Sequence, residues 1–272
     1  MKKIVIRTLT VFILLLILSV LLYGVMFYRL TRTMAPLPTQ KLGENVYSVK
    51  DSFVNLYLIR GNKSFIAVDA GNDVKIIDAE IKKLGINKKD IAAILLTHSD
   101  SDHVAATDYF GNAKIYCSKD EEQMVNGKTH RFLVFDNRIS RKYTTVEDNQ
   151  ALDIDGIKIK CLMTPGHTPG SMCFLINDRL LFTGDNLRLE NGRAEIFSTF
   201  VNMDSELQKK SLMKLSHVAG VRSIYTAHHG STDNFGKAFE NWKKMKYTSG
   251  NIGYMPVAKL AGGRESADDF RM

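Results

Sequence analysis

Apolar residues fall along this chain in three rhythms, each predicting a different element. From Thr8 to Tyr28 they dominate 21 consecutive positions without a charge, a helix about 30 Å long, the thickness of a hydrocarbon core. A transmembrane helix is predicted there. A cleaved signal peptide fits less well, because its apolar stretch runs to only about 7 to 15 residues and the nearest cleavage-like site, Thr33-Met34-Ala35, is followed by Pro36. In ENVYSVK, FVNLYLIR, SFIAVDAG, IAAILLT, AKIYC, IKIKCLMT, SMCFLIN, RLLFTG and VRSIYTA, apolar residues alternate or form short blocks between turn residues, which predicts strands. Val74, Ile77, Ile81 and Leu84 recur at helical spacing before Gly85, and HVAATDYF, KDEEQMV and SELQKKSLMKLSHV read as further helices. Residues 127–150 are polar and basic with weak periodicity, a surface excursion able to border a site.

Strands and helices mixed throughout predict an α/β sandwich, two sheets covered by helices. The expected organisation is a tail over 1–7, an anchor over 8–28, a linker over 29–42 containing Pro36 and Pro38, and one domain over 43–272. Charge changes little in this picture. The net charge of +8 invites a nucleic-acid reading, but residues 1–42 carry +6 and leave +2 for the rest, so nucleic acid is not an expected partner. Lys2, Lys3 and Arg7 before the span, against Arg29 and Arg32 after it, favour a cytoplasmic amino terminus and a domain outside. The expected localisation is a single-pass membrane protein with an extracytoplasmic domain. Cys117, Cys161 and Cys173 form no CxxC pair and read as buried thiols rather than a disulfide or zinc framework.

The chemistry gathers at strand ends. Thr97-His98-Ser99-Asp100-Ser101-Asp102-His103 follows one apolar strand and places four candidate ligands within six residues; helix capping by Asp100 or Ser101 explains only one of them. Pro165-Gly166-His167-Thr168-Pro169-Gly170-Ser171 holds a histidine in a tight turn, Gly184-Asp185 ends another strand with a carboxylate, and His228-His229-Gly230 ends a third with imidazoles. His130 and His217 have no motif around them.

This series resembles the metallo-β-lactamase superfamily: H-x-H-x-D-H, a PGHTPGS-type histidine, a GD aspartate and a terminal histidine before glycine, over nearly all of residues 43–235. The resemblance implies an αββα sandwich and two divalent metal ions, zinc being expected and iron or manganese the alternatives. By position, His98, Asp100 and His167 would bind one ion, Asp102, His103 and His229 the other, and Asp185 would bridge them. Asp69 would support the loop instead of a metal. Asp102 would also relay a proton, and His228 would stand behind the ligands or face the substrate. Asp100 departs from the family, which more often has histidine there. Three carboxylates and a hydroxide would neutralise two divalent ions, giving a less electrophilic site that tolerates harder metals. The implied activity is membrane-anchored hydrolysis of a small-molecule ester, thioester or lactam by a metal-activated hydroxide. A diiron redox enzyme related to the flavodiiron branch and a non-catalytic membrane sensor are the competing classes.

Overall fold

The computed structural model describes residues 2–43, 45–131 and 137–245. The last stretch of the expected 43–272 domain therefore lies outside the described residues. Helix α1 (Lys2–Thr31) is long and apolar enough to cross a membrane, and its apolar window is nowhere buried by the rest of the chain. The linker after it leads to strands β1 (Gln40–Lys41), β2 (Val46–Asp51), β3 (Val54–Arg60) and β4 (Phe65–Val68), then helix α2 (Val74–Lys83) and strand β5 (Ile91–Leu95). Helix α3 (Ser101–Val104), strand β6 (Lys114–Ser118), helix α4 (Glu122–Val125) and strand β7 (Tyr143–Val146) complete the first half. These seven strands form one sheet in sequence order.

The second half contains β8 (Ala151–Ile154), β9 (Ile157–Met163), β10 (Met172–Ile176), β11 (Leu180–Gly184) and a hairpin of β12 (Arg188–Glu190) with β13 (Arg193–Glu195). After it come α5 (Ser205–Ser216), β14 (Ser223–Thr226), β15 (Ser231–Thr232), α6 (Phe235–Ala238) and α7 (Glu240–Lys243). The second sheet runs β15-β14-β11-β10-β9-β8.

Period-two alternation sends each strand's side chains to two different cores. Leu56 and Leu58 of β3 pack outward against Ile77 and Ile81 of α2, while Tyr57 and Ile59 face the other sheet and meet Phe174 and Phe182. On the far side, Cys173 and Leu175 of β10 pack against Leu212 and Leu215 of α5. Three apolar layers between four structural layers make the expected sandwich of helices, sheet, sheet and helices. Cys117, Cys161 and Cys173 are buried free thiols, each pushed up to about 12 by that burial.

Two local expectations are corrected. Residues 127–150 are not only surface excursion: β7 extends the first sheet in parallel to β6, and Arg131 and Asn137 are buried. The helix expected from His103 to Phe110 is two short turns, because the His103 carbonyl accepts from Ala70 N–H and Ala106 N–H donates to the Gly71 carbonyl. The backbone there is tied to the turn after β4 instead of continuing its own helix.

What this topology does for a site follows from strand direction. The carboxyl ends of β4, β5, β9, β11 and β14 bring Asp69, the 97–103 loop, His167, Asp185 and His228 to one end of the sandwich. Loops at the carboxyl ends of strands are where open α/β sheets hold ligands.

Candidate metal centre

Each imidazole in the loop cluster is held by its outer nitrogen. Asp69 accepts from Thr97 N–H (2.8 Å), from the Thr97 hydroxyl (2.9 Å) and from His103 Nδ1 (2.8 Å). With its hydroxyl proton committed to Asp69, Thr97 Oγ1 accepts from His98 Nδ1 at 3.0 Å. Nδ1 of His167 donates to Asn202 Oδ1 (3.0 Å), and that of His228 to the Phe53 carbonyl (2.7 Å). In all four Nδ1 is held outward and Nε2 faces inward, the orientation that a metal-ligating histidine needs once a cation takes the place of any proton on Nε2. Asp69 thus ties the start of the loop, Thr97, to its end, His103.

The inward atoms form two groups. His98 Nε2 and His167 Nε2 lie 3.7 and 3.1 Å from Asp100 Oδ2; His103 Nε2 and His228 Nε2 lie 3.6 and 3.3 Å from Asp102 Oδ2. Asp185 stands between them. Its Oδ2 is 3.9 and 3.5 Å from His98 and His167, and its Oδ1 is 3.5 and 3.1 Å from His103 and His228. Ligand bonds of 2.0–2.1 Å in a tetrahedron separate ligand atoms by about 3.4 Å, so these spacings suit zinc-sized ions. Nε2 of His98, His103 and His228 and Oδ1 of Asp185 are buried without a hydrogen-bond partner. Four orphaned polar atoms aimed at one small volume cost several kcal/mol in total unless a ligand satisfies them, and the donor set fits divalent cations.

The electrostatics agree. Burial opposes charge on His228, yet Asp185 and Asp102 outweigh it and push the imidazole up to about 10. His103 is raised in the same way by Asp102, Asp69 and Asp185 against its burial. His98 goes the other way, lowered by burial and by the neighbouring His103 and His167. Burial alone would raise Asp185, but His228 and His103 hold it well below the usual carboxylate range. Carboxylates that hold protons on buried imidazoles this firmly mark a place short of positive charge.

The structure exchanges the two adjacent histidines of the sequence reading. β14 ends at Thr226, whose hydroxyl accepts from His229 N–H (2.9 Å), so both histidines lie in the turn beyond the strand. His228 enters the cluster, while His229 lies outside it, half-buried beside Phe197 and lowered to about 4 by burial and by His228. His98, Asp100, Asp102, His103, His167 and Asp185 are all brought together in the cluster. Asp100 occupies the N-cap position of α3 but makes no side-chain capping bond, so its carboxylate is free to turn inward.

Two residues escaped the sequence reading. Arg131 is buried and sets its Nε 2.9 Å from Asp100 Oδ1, with Nη1 on the His167 carbonyl at 3.0 Å. Burial would raise the Asp100 carboxyl, but Arg131 and the His167 hydrogen bond hold it well below its usual range. Glu121 accepts from Ser99 N–H (2.8 Å), Ser99 hydroxyl (2.6 Å), Thr168 hydroxyl (2.7 Å) and Gly170 N–H (3.1 Å), pinning the 97–103 loop to the His167 turn. Gly170 has to be glycine, since a Cβ there would stand 2.0 Å from Glu121 N. No local pattern marks either residue, because their partners lie 22 to 49 positions away for Glu121 and 31 to 70 for Arg131.

The cluster floors a cavity of about 410 Å³ whose walls include Phe53, Phe197 and Val201 and whose outer side is formed by Tyr23, Phe27 and Leu30 of α1.

A profile of the metallo-beta-lactamase superfamily matches residues 49–247. Among curated proteins, the chain is 35% identical over 134 residues to a probable polyketide biosynthesis zinc-dependent hydrolase of Bacillus velezensis, covering 48% of this chain and 53% of that one. It is 27% identical over 135 residues to an atrochrysone carboxyl ACP thioesterase of Aspergillus chevalieri, covering 49% and 40%. The chain thus aligns with about half the length of these relatives. Among solved structures, a B3 metallo-beta-lactamase with an active-site glutamic acid superposes with a TM-score of 0.62 at 20% identity, over 80% of this chain and 90% of that one. A metallo-beta-lactamase family protein from Thermus thermophilus superposes at 0.58 and 21%, over 75% and 79%.

Proposed function

The chain belongs to the metallo-β-lactamase superfamily, and from that premise we propose that it is a metal-dependent hydrolase of a small-molecule ester, thioester or lactam, held to a membrane by α1. The observation that carries the reading is the set of four imidazoles with Nδ1 satisfied outward and Nε2 aimed at Asp100, Asp102 and Asp185. His98, Asp100 and His167 would hold one ion, Asp102, His103 and His228 the other, with Asp185 spanning both. The zinc dependence of the Bacillus relative and the thioesterase name of the Aspergillus one favour zinc and a thioester. Divalent ions held here would acidify a water from about 15.7 toward about 7 and polarise the substrate carbonyl.

The chain's own residues do the rest. Asp102, partly open to the cavity, accepts a proton on its carboxylate and returns it to the leaving group. Phe197, packed 5.3 Å from the ring of His167 and 5.4 Å from that of His228, keeps bulk water off the imidazoles. Arg131 alters the charge balance expected from sequence: it returns the positive charge that Asp100 removes, so the site keeps the electrophilicity of a histidine-richer one. The distribution of Lys and Arg about α1 supports a domain on the outer side of the membrane.

The test is metal analysis of the full chain joined to hydrolysis of a thioester, ester and lactam panel. About two divalent ions per chain and hydrolysis abolished by chelation are expected. One tightly held ion, with a rate indifferent to chelator, would refute the two-metal arrangement.

A further inference from the structure

The cavity over the histidine and aspartate cluster has two unlike sides. Asp100, Asp102, Asp185, His167 and His228 are at its floor, and the outer wall is the last turns of α1. Those turns also form the end of the apolar stretch that is long enough to cross a bilayer. Tyr23 of the helix meets Phe200 with ring centroids 6.0 Å apart, closing the wall against the domain.

The connection is too short for the arrangement to be loose. α1 ends at Thr31, and Ala35 N–H already donates to the His228 carbonyl at 2.7 Å. Leu37 is fixed next, its N–H donating to Asn55 Oδ1 (2.7 Å) and its carbonyl accepting from Asn55 Nδ2 (2.9 Å). Four residues span at most about 14 Å, so the His228 loop must sit close to where the helix leaves the bilayer, whatever the helix's tilt. The path between is mainly apolar. Phe53 stacks on His228 at 5.8 Å, and Phe197 contacts both His167 and His228. A water-soluble substrate gains little from such a passage, whereas an alkyl chain matches the Phe27, Leu30, Met34, Phe53, Phe197 and Val201 side of the lining.

We propose that this cavity takes the alkyl chain of an amphiphile drawn from the bilayer, laying the chain along Phe27, Leu30 and Met34 and delivering an ester or thioester head to the cluster. This rests on the hydrolase and anchor readings above and names their substrate class. The acyl carbon–oxygen or carbon–sulfur bond breaks, the oxygen of a water molecule takes its place on the acyl carbon, and the water's proton goes to the departing alkoxide or thiolate.

The test uses the full chain, zinc-loaded, in phosphatidylcholine vesicles. It is given butanoyl and dodecanoyl thioesters of one head group and, separately, a non-hydrolysable fatty amide carrying a photoactivatable diazirine in its chain. The dodecanoyl substrate is expected to be preferred in kcat/KM by about a hundredfold, and Phe27→Arg to lower that preference by about tenfold or more. Phe12→Ala, on the same helix away from the cavity, should not change the preference. Photolabel is expected on Phe53, Phe197 or Val201 as well as on α1. Label confined to the outer face of α1, or equal rates for the two chain lengths, overturns the amphiphile proposal while leaving a hydrolase standing. Label inside the cavity without hydrolysis of any substrate removes the hydrolase reading and keeps the site for the chain.

Discussion

The two ends of the sandwich treat polar atoms in opposite ways. At the carboxyl ends of β5, β11 and β14, buried imidazole and carboxylate atoms are left without partners and aimed at one point. At the other end, the turns after β3 and β8 satisfy each other. Asp155 accepts from Lys63 N–H (2.8 Å), Ser64 N–H (2.6 Å) and the Ser64 hydroxyl (2.8 Å), and its carbonyl accepts from Asn62 N–H at 3.0 Å. The first end stores unsatisfied polarity for a ligand, and the second spends its polar groups on joining the sheets. Substitutions of the inward-aimed groups at the first should therefore act on metal and rate, those at the second on stability alone.

The largest break is expected at Asp185, the one carboxylate with an oxygen toward each half of the cluster. Asp185→Asn removes the charge between two cations, so metal content should fall to one ion or fewer and kcat/KM by about a thousandfold. Next comes the histidine pair. His228→Ala should lose one ion and most activity, and His229→Ala should keep both ions with a rate within about threefold of the parent. Metal content per chain decides it, and equal losses in the two variants would undo the placement of His228.

Arg131 sharpens the comparison between the halves, because among the described residues a buried guanidinium pairs with Asp100, while Asp102 is paired by imidazoles alone. Arg131→Met should retain metal and lower kcat/KM by about 10- to 100-fold, as loss of a ligand's supporting partner does. Asp100→His alone sets an imidazole against the guanidinium and should weaken metal binding. Combined with Arg131→Met it should regain binding with a stronger preference for zinc over manganese and iron, giving a coupling that the single variants do not predict. Additive effects on metal affinity would show that Arg131 does not balance Asp100.

How much of this was legible in the sequence depends on whether a contact is local. The strand-end motifs placed six of the seven cluster residues, since His98, Asp100, Asp102 and His103 share one loop, and His167 and Asp185 sit beside glycines that shape their turns. His228 and His229 could not be separated by period-two reasoning, because the strand ends at Thr226 and the turn sets the ring directions. Arg131 and Glu121 were invisible for the opposite reason: their roles exist only when segments far apart in sequence meet. Glu121→Gln tests that long-range pin. Replacing one carboxylate oxygen with an NH₂ faces a donor with a donor, so a loss of about 2–3 kcal/mol and a fall in Tm of about 5–10 °C are expected.

The smallest effect belongs to the far end. Asp155 is on the surface, and hydrogen bonds from Lys63 N–H, the Ser64 hydroxyl and Ser64 N–H lower its carboxyl below the usual range. It is the first residue of a two-residue turn, with φ of 54° followed by Gly156 at 81°, a hairpin geometry that Asp-Gly supports. In the unfolded chain Asp titrates near about 3.9, so the folded state binds its proton less readily. Stability from Asp155 is then fully present above that pH and disappears as pH falls through the lower folded value. Asp155→Asn keeps the side-chain size and removes the charge. Its Tm should lie slightly below that of the parent at neutral pH, by less than the Glu121→Gln difference, and the gap should close as pH falls below the unfolded value and through the lower folded one. Metal content and rate should not change, because the turn lies at the end away from the cluster. A gap that persisted unchanged into acid would assign the loss to turn geometry instead of the carboxylate's hydrogen bonds, and a change in metal content would mean that the two ends are coupled.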